Sequence, residues 1–407
     1  MRASRLSALR GLIPLRSAVT QPSTLHNNGL PTMPLTHLGD MPVETFLRDY
    51  WQQKPLLIRS ALPDFESPLD GDELAGLALE DEMESRLVLE KGKTPWELRQ
   101  GPFEEDDFAA LPPSHWTLLV QAVDQWVPEV QELLHHFRFL PDWRLDDIMV
   151  SYAVDQGSVG PHFDYYDVFL LQGNGKRRWR IGQTCDSQSP KVEGTALNIL
   201  QDFEGTEDWV LEPGDMLYIP PGVAHWGTAE GDDCITYSIG FRAPSVADIF
   251  TELSQDIASR LTNDQRYRDP ALTSAENPGE IPADTLNALD ALIQSHLTPE
   301  AIQDWFGRYM TTPKYPDLEP EGAEKNGEDW TGAPNLERHP ASRFAYCADG
   351  DQATLYVDGE QYACSRALAE CLCADITPET RNLKASAQSE QDIALVSELV
   401  EAGKLWT

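Results

Sequence analysis

The sequence predicts an α+β protein in which a small antiparallel barrel, or jelly roll, precedes a set of helices and a winged-helix-like module. Three observations predict this fold. Short strand patterns separated by turn residues follow residue 145, helical patterns follow Pro244, and a hairpin pattern between helices comes near the carboxyl end. With 407 residues, 41% of them hydrophobic, the chain is long enough for two or three domains with buried cores.

The strand patterns of the barrel are short and are separated by residues typical of turns. DDIMVSYAV and CITYSIGFRA each predict one strand, whereas DVFLLQGNGKRRWRIG predicts a hairpin around Asn174-Gly175. DWVLEPGDMLYIPPGVAHWG predicts two strands joined by a Pro-Gly-Asp turn, with a Pro-Pro-Gly turn after the second. Ahead of the barrel, residues 39–62 predict a helix and then a short strand, and residues 73–81 and 113–140 show helical spacing of apolar residues.

The remaining patterns divide the chain into five segments. After the barrel, Ser245 and Asp248 have the spacing of a capping box, and Thr298 and Pro299 predict a second helix start. A stretch rich in Pro, Gly and acids then predicts a connection, and ATLYVDGEQYAC predicts a hairpin. The predicted segments are an amino-terminal extension over 1–32, a barrel domain over 33–245, a helical domain over 246–311, a linker over 312–341 and a winged-helix-like domain over 342–407.

The chain is strongly acidic. It has 67 Asp and Glu residues against 31 Lys and Arg residues, which gives a net charge of −36 at pH 7. This charge disfavours a polyanionic partner such as DNA, and it suits either a basic partner or a cell with a salty interior. No apolar run reaches the roughly 18 residues of a membrane span. The six scattered cysteines fit a reducing compartment.

The first 32 residues differ from the rest of the chain. They contain four arginines and no acid, since the first acidic residue is Asp40. This pattern is typical of an organellar transit peptide, and it also fits a spurious start codon with the true start at Met33. The first interpretation predicts a mitochondrial protein and the second a cytoplasmic bacterial one. We favour the second, because so acidic a protein would be unusual in an organelle.

A candidate metal site begins in GPHFDYYDVF, residues 160–169. Side chains at i and i+2 of a strand point to the same face, so His162 and Asp164 would project together. His225 comes later, just after the Pro-Pro-Gly turn. H-x-D alone is common by chance, and a single histidine there also fits a turn residue. Together, two imidazoles and one carboxylate on one face of a metal leave the opposite face open, which is the arrangement used for non-haem Fe(II) oxygenation.

Arg177 is the candidate anchor for an anion. It lies in KRRWR, on the strand after the Asn-Gly turn, and alternates with Trp179, so it would point into the barrel. A buried arginine needs an anion. A guanidinium pairs with a carboxylate through two hydrogen bonds, so Arg177 would suit one end of a dicarboxylate such as 2-oxoglutarate while the 2-oxo acid end binds iron. The neighbouring Lys176 and Arg178 fit a solubilising hairpin tip.

GPHFDYYDVFLLQGNGKRRWRIG and LEPGDMLYIPPGVAHWG resemble the motifs of the JmjC-type ribosomal oxygenases of the cupin superfamily. The likeness extends from about Met33 to the carboxyl terminus and includes LPDWRLDDIMVSYAV and GFRAP. It is greatest with the bacterial branch, whose members hydroxylate an arginine of large-subunit ribosomal protein L sixteen. Arg177 favours this branch, because other JmjC branches often have lysine at that position.

The resemblance implies a double-stranded β-helix barrel of the cupin and JmjC type, a helical domain that forms a homodimer, and a winged-helix-like domain. It also implies Fe(II) bound by His162, Asp164 and His225, with the co-substrate 2-oxoglutarate anchored through Arg177. The implied reaction converts 2-oxoglutarate and O₂ into succinate and CO₂ and hydroxylates an unactivated C–H bond of the substrate.

The resemblance further places Thr236 and Ser238, on the strand after His225, near the wall of the co-substrate pocket. No catalytic residue is expected beyond the metal ligands, because the oxidising power comes from the metal and the co-substrate.

An arginine substrate requires carboxylates or aromatic rings near the metal. Asp155, Tyr166 and Asp167 are candidates by their position in the sequence, and each also fits a structural role as turn cap, barrel packing residue or loop anchor. Two other functions stay open. One is hydroxylation of a histidine in another ribosomal protein, and the other is a non-catalytic metal-binding cupin with a nucleic-acid-binding winged helix. The acidic carboxyl-terminal module argues against the last, because a DNA reader should have a basic recognition helix.

Overall fold

The computed structural model describes residues 33–270, 277–315, 330–374 and 376–406. The predicted amino-terminal extension and the middle of the predicted linker therefore lie outside the described residues. The described chain forms two compact units, one that ends at Ala243 and one that begins at Pro244.

The first unit contains thirteen strands and four short helices within the described residues. The strands are β1 His37–Leu38, β2 Met41–Pro42, β3 Leu56–Ile58, β4 Ser85–Lys91, β5 Pro95–Gln100, β6 Trp116–Val120, β7 Leu145–Ala153, β8 Val168–Asn174, β9 Arg177–Thr184, β10 Glu207–Leu211, β11 Met216–Ile219, β12 Val223–Ala229 and β13 Cys234–Phe241. The helices are α1 Val43–Asp49, α2 Gly71–Leu77, α3 Glu105–Ala109 and α4 Pro128–Gln131.

Two antiparallel sheets make the barrel. The large sheet has eight strands in the order β3-β11-β8-β13-β7-β6-β4-β5, and the small sheet has the order β10-β9-β12. An apolar cluster joins the two sheets, since it combines residues of β8 and β11 with residues of β9 and β10. Its fully buried members are Val168, Leu170, Trp179, Ile181, Leu211, Leu217 and Ile219. The predicted jelly roll is therefore confirmed.

The large sheet is buried on both faces because its side chains alternate. On β7, Ile148 and Val150 point to one face and pack in a large core with Phe46 of helix α1. Ser151 of β7 and Thr236 of β13 lie opposite each other in the ladder and point to the other face, which is the barrel interior. The core thus holds one side of the sheet rigid while polar side chains occupy the other.

One local prediction was wrong. Residues 113–140 were assigned helical spacing, but Trp116–Val120 is strand β6, between β4 and β7 of the large sheet. WTLLV is apolar at nearly every position, and a short apolar run has no period that separates a buried strand from a helix. The hairpin of β4 and β5 was also missing from the sequence prediction.

The second unit combines three helices with a small α+β module. Its helices are α5 Val246–Ser259, α6 Ala283–His296, α7 Pro299–Thr311, α8 Arg366–Ala374, α9 Thr380–Ser386 and α10 Glu390–Glu401. Its strands are β14 Glu337–Arg338, β15 Phe344–Asp349, β16 Gln352–Val357, β17 Glu360–Ser365 and β18 Leu405–Trp406. Both predicted caps form, since the Ser245 hydroxyl accepts from the Asp248 amide and the Thr298 hydroxyl accepts from the Ala301 amide.

The module has its own core. Strands β15, β16 and β17 form an antiparallel sheet, and β14 pairs with β18. Leu355 of the sheet packs with Leu368 of α8, Leu383 of α9 and Val396 of α10, all of which are fully buried. Among the residues described in both units, no helix is long and apolar enough to cross a bilayer.

Candidate active site

His162 and His225 are joined through their backbones. The His162 amide donates to the His225 carbonyl at 3.0 Å, and the His225 amide donates to the His162 carbonyl at 2.8 Å. His225 lies on β12 opposite Ile181 of β9, so this bridge fastens the loop before β8 to the small sheet. The expected strand through His162 and Asp164 does not form. His162 makes this isolated bridge only, and Asp164 lies in a loop that the Gly222 amide holds by donating to the Asp164 carbonyl at 2.7 Å.

Both imidazole rings are oriented in the same way. Nδ1 of His162 lies 3.0 Å from the Gly160 carbonyl oxygen, and Nδ1 of His225 lies 3.0 Å from the Val223 carbonyl oxygen. Because a carbonyl oxygen only accepts, each Nδ1 carries the proton and each Nε2 keeps a free lone pair. Gly160 has a φ of +81°, and a Cβ there would lie 2.5 Å from Cδ1 of Ile199, so this position requires glycine.

Asp164 completes a cluster of three potential metal ligands. Its Oδ2 lies 3.6 Å from Nε2 of His225 and 4.0 Å from Nε2 of His162, and the donor atoms of all three residues lie within 4.8 Å of one another. Ligand atoms about 2 Å from a metal lie at most about 4 Å apart, so the two measured separations fit a single ion. Two neutral nitrogens and one carboxylate are the donor set of a mononuclear Fe(II) centre with open positions.

The cluster is buried on one side and open on the other. The His225 side chain is 3% exposed, whereas those of His162 and Asp164 are 24% and 23% exposed. Burial, together with the neighbouring His162, lowers the pKa of His225 to about 4, so this imidazole is neutral at pH 7. A neutral imidazole is the form that binds a metal, and the open side leaves room for further ligands.

Arg177 lies buried inside the barrel, on the same face of β9 as Trp179. Its Nη1 donates to the Ser151 hydroxyl at 3.0 Å and to the Thr236 hydroxyl at 3.2 Å. No carboxylate of the described chain pairs with it, and its Nε has no hydrogen-bond partner there. Burial lowers the pKa of Arg177. A buried guanidinium held by two hydroxyls has the chemistry to pair with a carboxylate.

Thr236 and Ser238 lie on the same face of β13. The Thr236 hydroxyl donates to Oε1 of Gln172 at 3.3 Å, so neighbouring strands fix its orientation. Ser238 is half-buried and lies opposite Met149 of β7. The sequence prediction missed Ser151, although the signal is there. Ser151 is a buried polar residue among the apolar residues Ile148, Val150 and Ala153 of β7.

Two of the three predicted substrate-binding residues have other partners. Oδ1 of Asp155 accepts from the Gly231 amide at 2.9 Å, which is the contact of a turn cap. Asp167 is fully buried, and its carboxylate accepts from the Tyr218 hydroxyl at 2.7 Å and from Arg144 at 3.1 Å. These contacts match the structural roles given above as the alternative to substrate binding.

Tyr166, the third candidate, lies near Asp164, one of the three potential metal ligands. The residue is 43% exposed. Burial of its hydroxyl end and then the negative charges of Asp164, Asp147 and Asp146 raise its pKa. The charge of Arg86 acts in the opposite direction and lowers it.

Comparisons with known proteins give consistent matches. Residues 132–249 match the JmjC domain family, and residues 291–405 match the ROXA-like winged helix. The chain is 34% identical over 372 residues to the ribosomal protein uL16 3-hydroxylase of Escherichia coli, which covers 88% of this chain and 95% of that protein. It is 42% identical over 234 residues to a probable ribosomal oxygenase of Haemophilus influenzae, covering 57% of this chain and 55% of that one.

A solved structure of a metal-binding protein has the same fold. YcfD, a ribosomal oxygenase from E. coli determined in complex with cobalt and 2-oxoglutarate, is 32% identical. The match has a TM-score of 0.79 and covers 91% of this chain and 99% of that one. The double-stranded β-helix and the winged-helix domain expected from the sequence are confirmed.

We expect His162→Ala and Asp164→Ala to lower the affinity of the protein for Co(II) by about tenfold or more, because each removes one of three ligand atoms. Binding is measured from the visible absorption of Co(II) added to metal-free protein. His37→Ala changes an exposed histidine outside the cluster and serves as the control. Equal Co(II) affinity in all three variants would contradict the ligand assignment.

Proposed function

Since this chain belongs to the JmjC-type ribosomal oxygenases, as its match to the E. coli hydroxylase over most of both chains requires, we propose that it hydroxylates an arginine side chain of a uL16-type ribosomal protein. Fe(II) and 2-oxoglutarate are the cofactor and co-substrate of the proposed reaction. The observation that carries the proposal is Arg177, a buried cation that no carboxylate of the described residues pairs with, on the strand next to the one that bears His225.

In this proposal Nε2 of His162, Nε2 of His225 and the carboxylate of Asp164 hold the iron. With 2-oxoglutarate and O₂, the bound iron supplies the oxidising power that puts an oxygen atom into a C–H bond. The protein orients the co-substrate and shields the reacting atoms from water. Arg177 receives the distal carboxylate of the co-substrate, and the Ser151 and Thr236 hydroxyls fix the guanidinium in place.

The acidic surroundings of Tyr166 support an arginine substrate. Asp164, Asp147 and Asp146 lie close enough to the Tyr166 hydroxyl for their charges to raise its pKa. A guanidinium is stabilised by carboxylates and by the face or hydroxyl of an aromatic ring. A ribosomal substrate also agrees with the net charge of −36, because ribosomal proteins are basic, and we propose a cytoplasmic location where they are assembled.

A homodimer is part of the proposal. Helix α6 buries none of its residues within the described chain, although Leu286, Leu289 and Ile293 form a stripe at helical spacing and are 54%, 41% and 49% exposed. Helix α5 adds Phe250, which is 64% exposed. An exposed apolar stripe of this kind is typical of a protein interface. We propose that it packs against the helical domain of a second copy of this chain.

We expect Arg177→Met to abolish the thermal stabilisation that 2-oxoglutarate gives to the Co(II)-loaded protein and to raise the KM for 2-oxoglutarate at least about tenfold. Without the co-substrate the variant should be no less stable, because the substitution removes a buried charge that has no anionic partner. Arg178→Met is the matched control, since Arg178 is half-exposed and pairs with Asp208 and Glu230. A normal response of Arg177→Met to 2-oxoglutarate would refute the role of Arg177.

We expect incubation with Fe(II), 2-oxoglutarate, O₂ and purified large-subunit ribosomal proteins to add the mass of one oxygen atom to a uL16-type protein, on an arginine. Tandem mass spectrometry of the digest identifies the residue, and Tyr166→Phe should reduce the yield several-fold. His162→Ala is the negative control. Oxidation of a histidine in another ribosomal protein would contradict the arginine assignment, and succinate release without any modified protein would contradict the proposed reaction.

We expect Leu289→Glu to shift the mass in solution from about two chains to one chain of 45.5 kDa, because it places a charge in the apolar stripe of α6. Light scattering after size exclusion measures the mass. Asn287→Glu puts the same charge on the same helix outside the stripe and should leave the dimer intact. A wild-type mass of one chain would exclude the homodimer.

A further inference from the structure

We propose that the winged-helix-like module holds a second ligand site, a pocket that takes the guanidinium of an arginine in a basic protein segment. The pocket is a cavity of about 340 Å³ where β17 ends and α10 begins. The residues that line it are all of polar types, namely Gln352, Ser365, Gln388, Ser389, Gln391 and Asp392. No lysine or arginine lines it, so it offers no cation to an anionic ligand.

Asp392 is the charged group of this pocket. It is 1% exposed, and its Oδ1 accepts from the Ser365 amide at 2.9 Å. Its Oδ2 is buried and has no hydrogen-bond partner in the described chain. Asp392 is the third residue of α10, where an acid commonly bonds back to the amide of the capping residue, yet its bond goes to Ser365 of β17 instead. A buried carboxylate oxygen without a hydrogen-bond donor is unfavourable. Oδ2 of Asp392 is therefore suited to a donor that a ligand supplies.

Two glutamines of the pocket also present acceptors. Nε2 of Gln388 donates to the Ala385 carbonyl at 3.0 Å, and Nε2 of Gln391 donates to the Ala363 carbonyl at 2.9 Å. Each amide nitrogen is therefore bonded to the module's own backbone, which leaves the carbonyl end of each side chain for a ligand. Together with Oδ2 of Asp392, the pocket offers several separated acceptors around one negative charge.

The chemistry of this lining favours a guanidinium. A planar group with five N–H donors reaches several widely separated acceptors at once, whereas the three donors of an ammonium all belong to one nitrogen. A divalent cation is disfavoured, because one carboxylate supplies little charge for it. The net charge of −36 draws basic segments to the protein, and an arginine side chain projecting from such a segment fits within a cavity of this volume.

The test is amide hydrogen exchange of the full-length protein, read by mass spectrometry, with N-acetyl-arginine amide as the probe. We expect several-fold slower exchange in peptides that contain Ser365 and residues 389–393, because the ligand stabilises the bonds to Asp392 and Ser389. N-acetyl-citrulline amide has the same shape without the charge and should give no protection. Asp392→Asn keeps the acceptor for the Ser365 amide and should remove the arginine effect while 2-oxoglutarate turnover stays unchanged.

Three results would overturn the proposal: no protection at any soluble arginine concentration, equal protection by citrulline, or equal protection in Asp392→Asn. Equal protection by N-acetyl-lysine amide would overturn the guanidinium assignment. Gln391→Met is a second variant that leaves Asp392 in place, and it should weaken the effect. The readout is local to the winged-helix-like module and uses no turnover, so its failure is separate from a failure of the proposed oxygenase function.

Discussion

The two backbone hydrogen bonds between His162 and His225 are the constraint on which the rest of the site depends. They join a loop to a strand that is distant along the chain, and they set the separation of the two rings before any side-chain contact is made. Each ring is then turned by a bond from Nδ1 to the carbonyl two residues earlier. The bond from Gly222 to the Asp164 backbone brings the carboxylate to the same point. Backbone hydrogen bonds thus determine where the three candidate metal ligands lie relative to one another.

The site also depends on Arg177, a cation that the barrel interior keeps away from water. The large core behind β7 and β13 holds the strands that carry Ser151 and Thr236, and those hydroxyls hold Arg177. None of these partners neutralises the guanidinium. Under the proposed function, the interior would select a ligand by its charge, and the cluster would select it by the free coordination positions of the metal. A molecule that meets both conditions carries a carboxylate at one end and a chelating group at the other.

Much of this site could be predicted from the sequence, for particular physical reasons. The spacing of His162 and Asp164, the later His225 and the alternation of Arg177 with Trp179 point to a shared interior, since those residue types are costly to bury without a metal or an anion. Regular strand geometry, however, was the wrong reason for the first pair. Asp164 reaches the cluster from a loop, and the hydrogen bond that places it connects groups that no local pattern relates.

Other features depend on contacts across the chain that the sequence does not encode locally. WTLLV could not be assigned as β6 because its apolar run has no period, and only pairing with β4 and β7 makes it a strand. Ser151 is recognised as part of the site only once its register against Thr236 is known. Asp155 and Asp167 looked equivalent to Tyr166 in sequence, but distant partners occupy their carboxylates.

The position of Arg177 has a mechanical consequence. Arg177 belongs to the small sheet, whereas the two hydroxyls that it contacts belong to β7 and β13 of the large sheet. This guanidinium therefore already ties the two sheets together. If a dicarboxylate pairs with it as proposed, the ligand would extend a contact that connects both walls of the barrel.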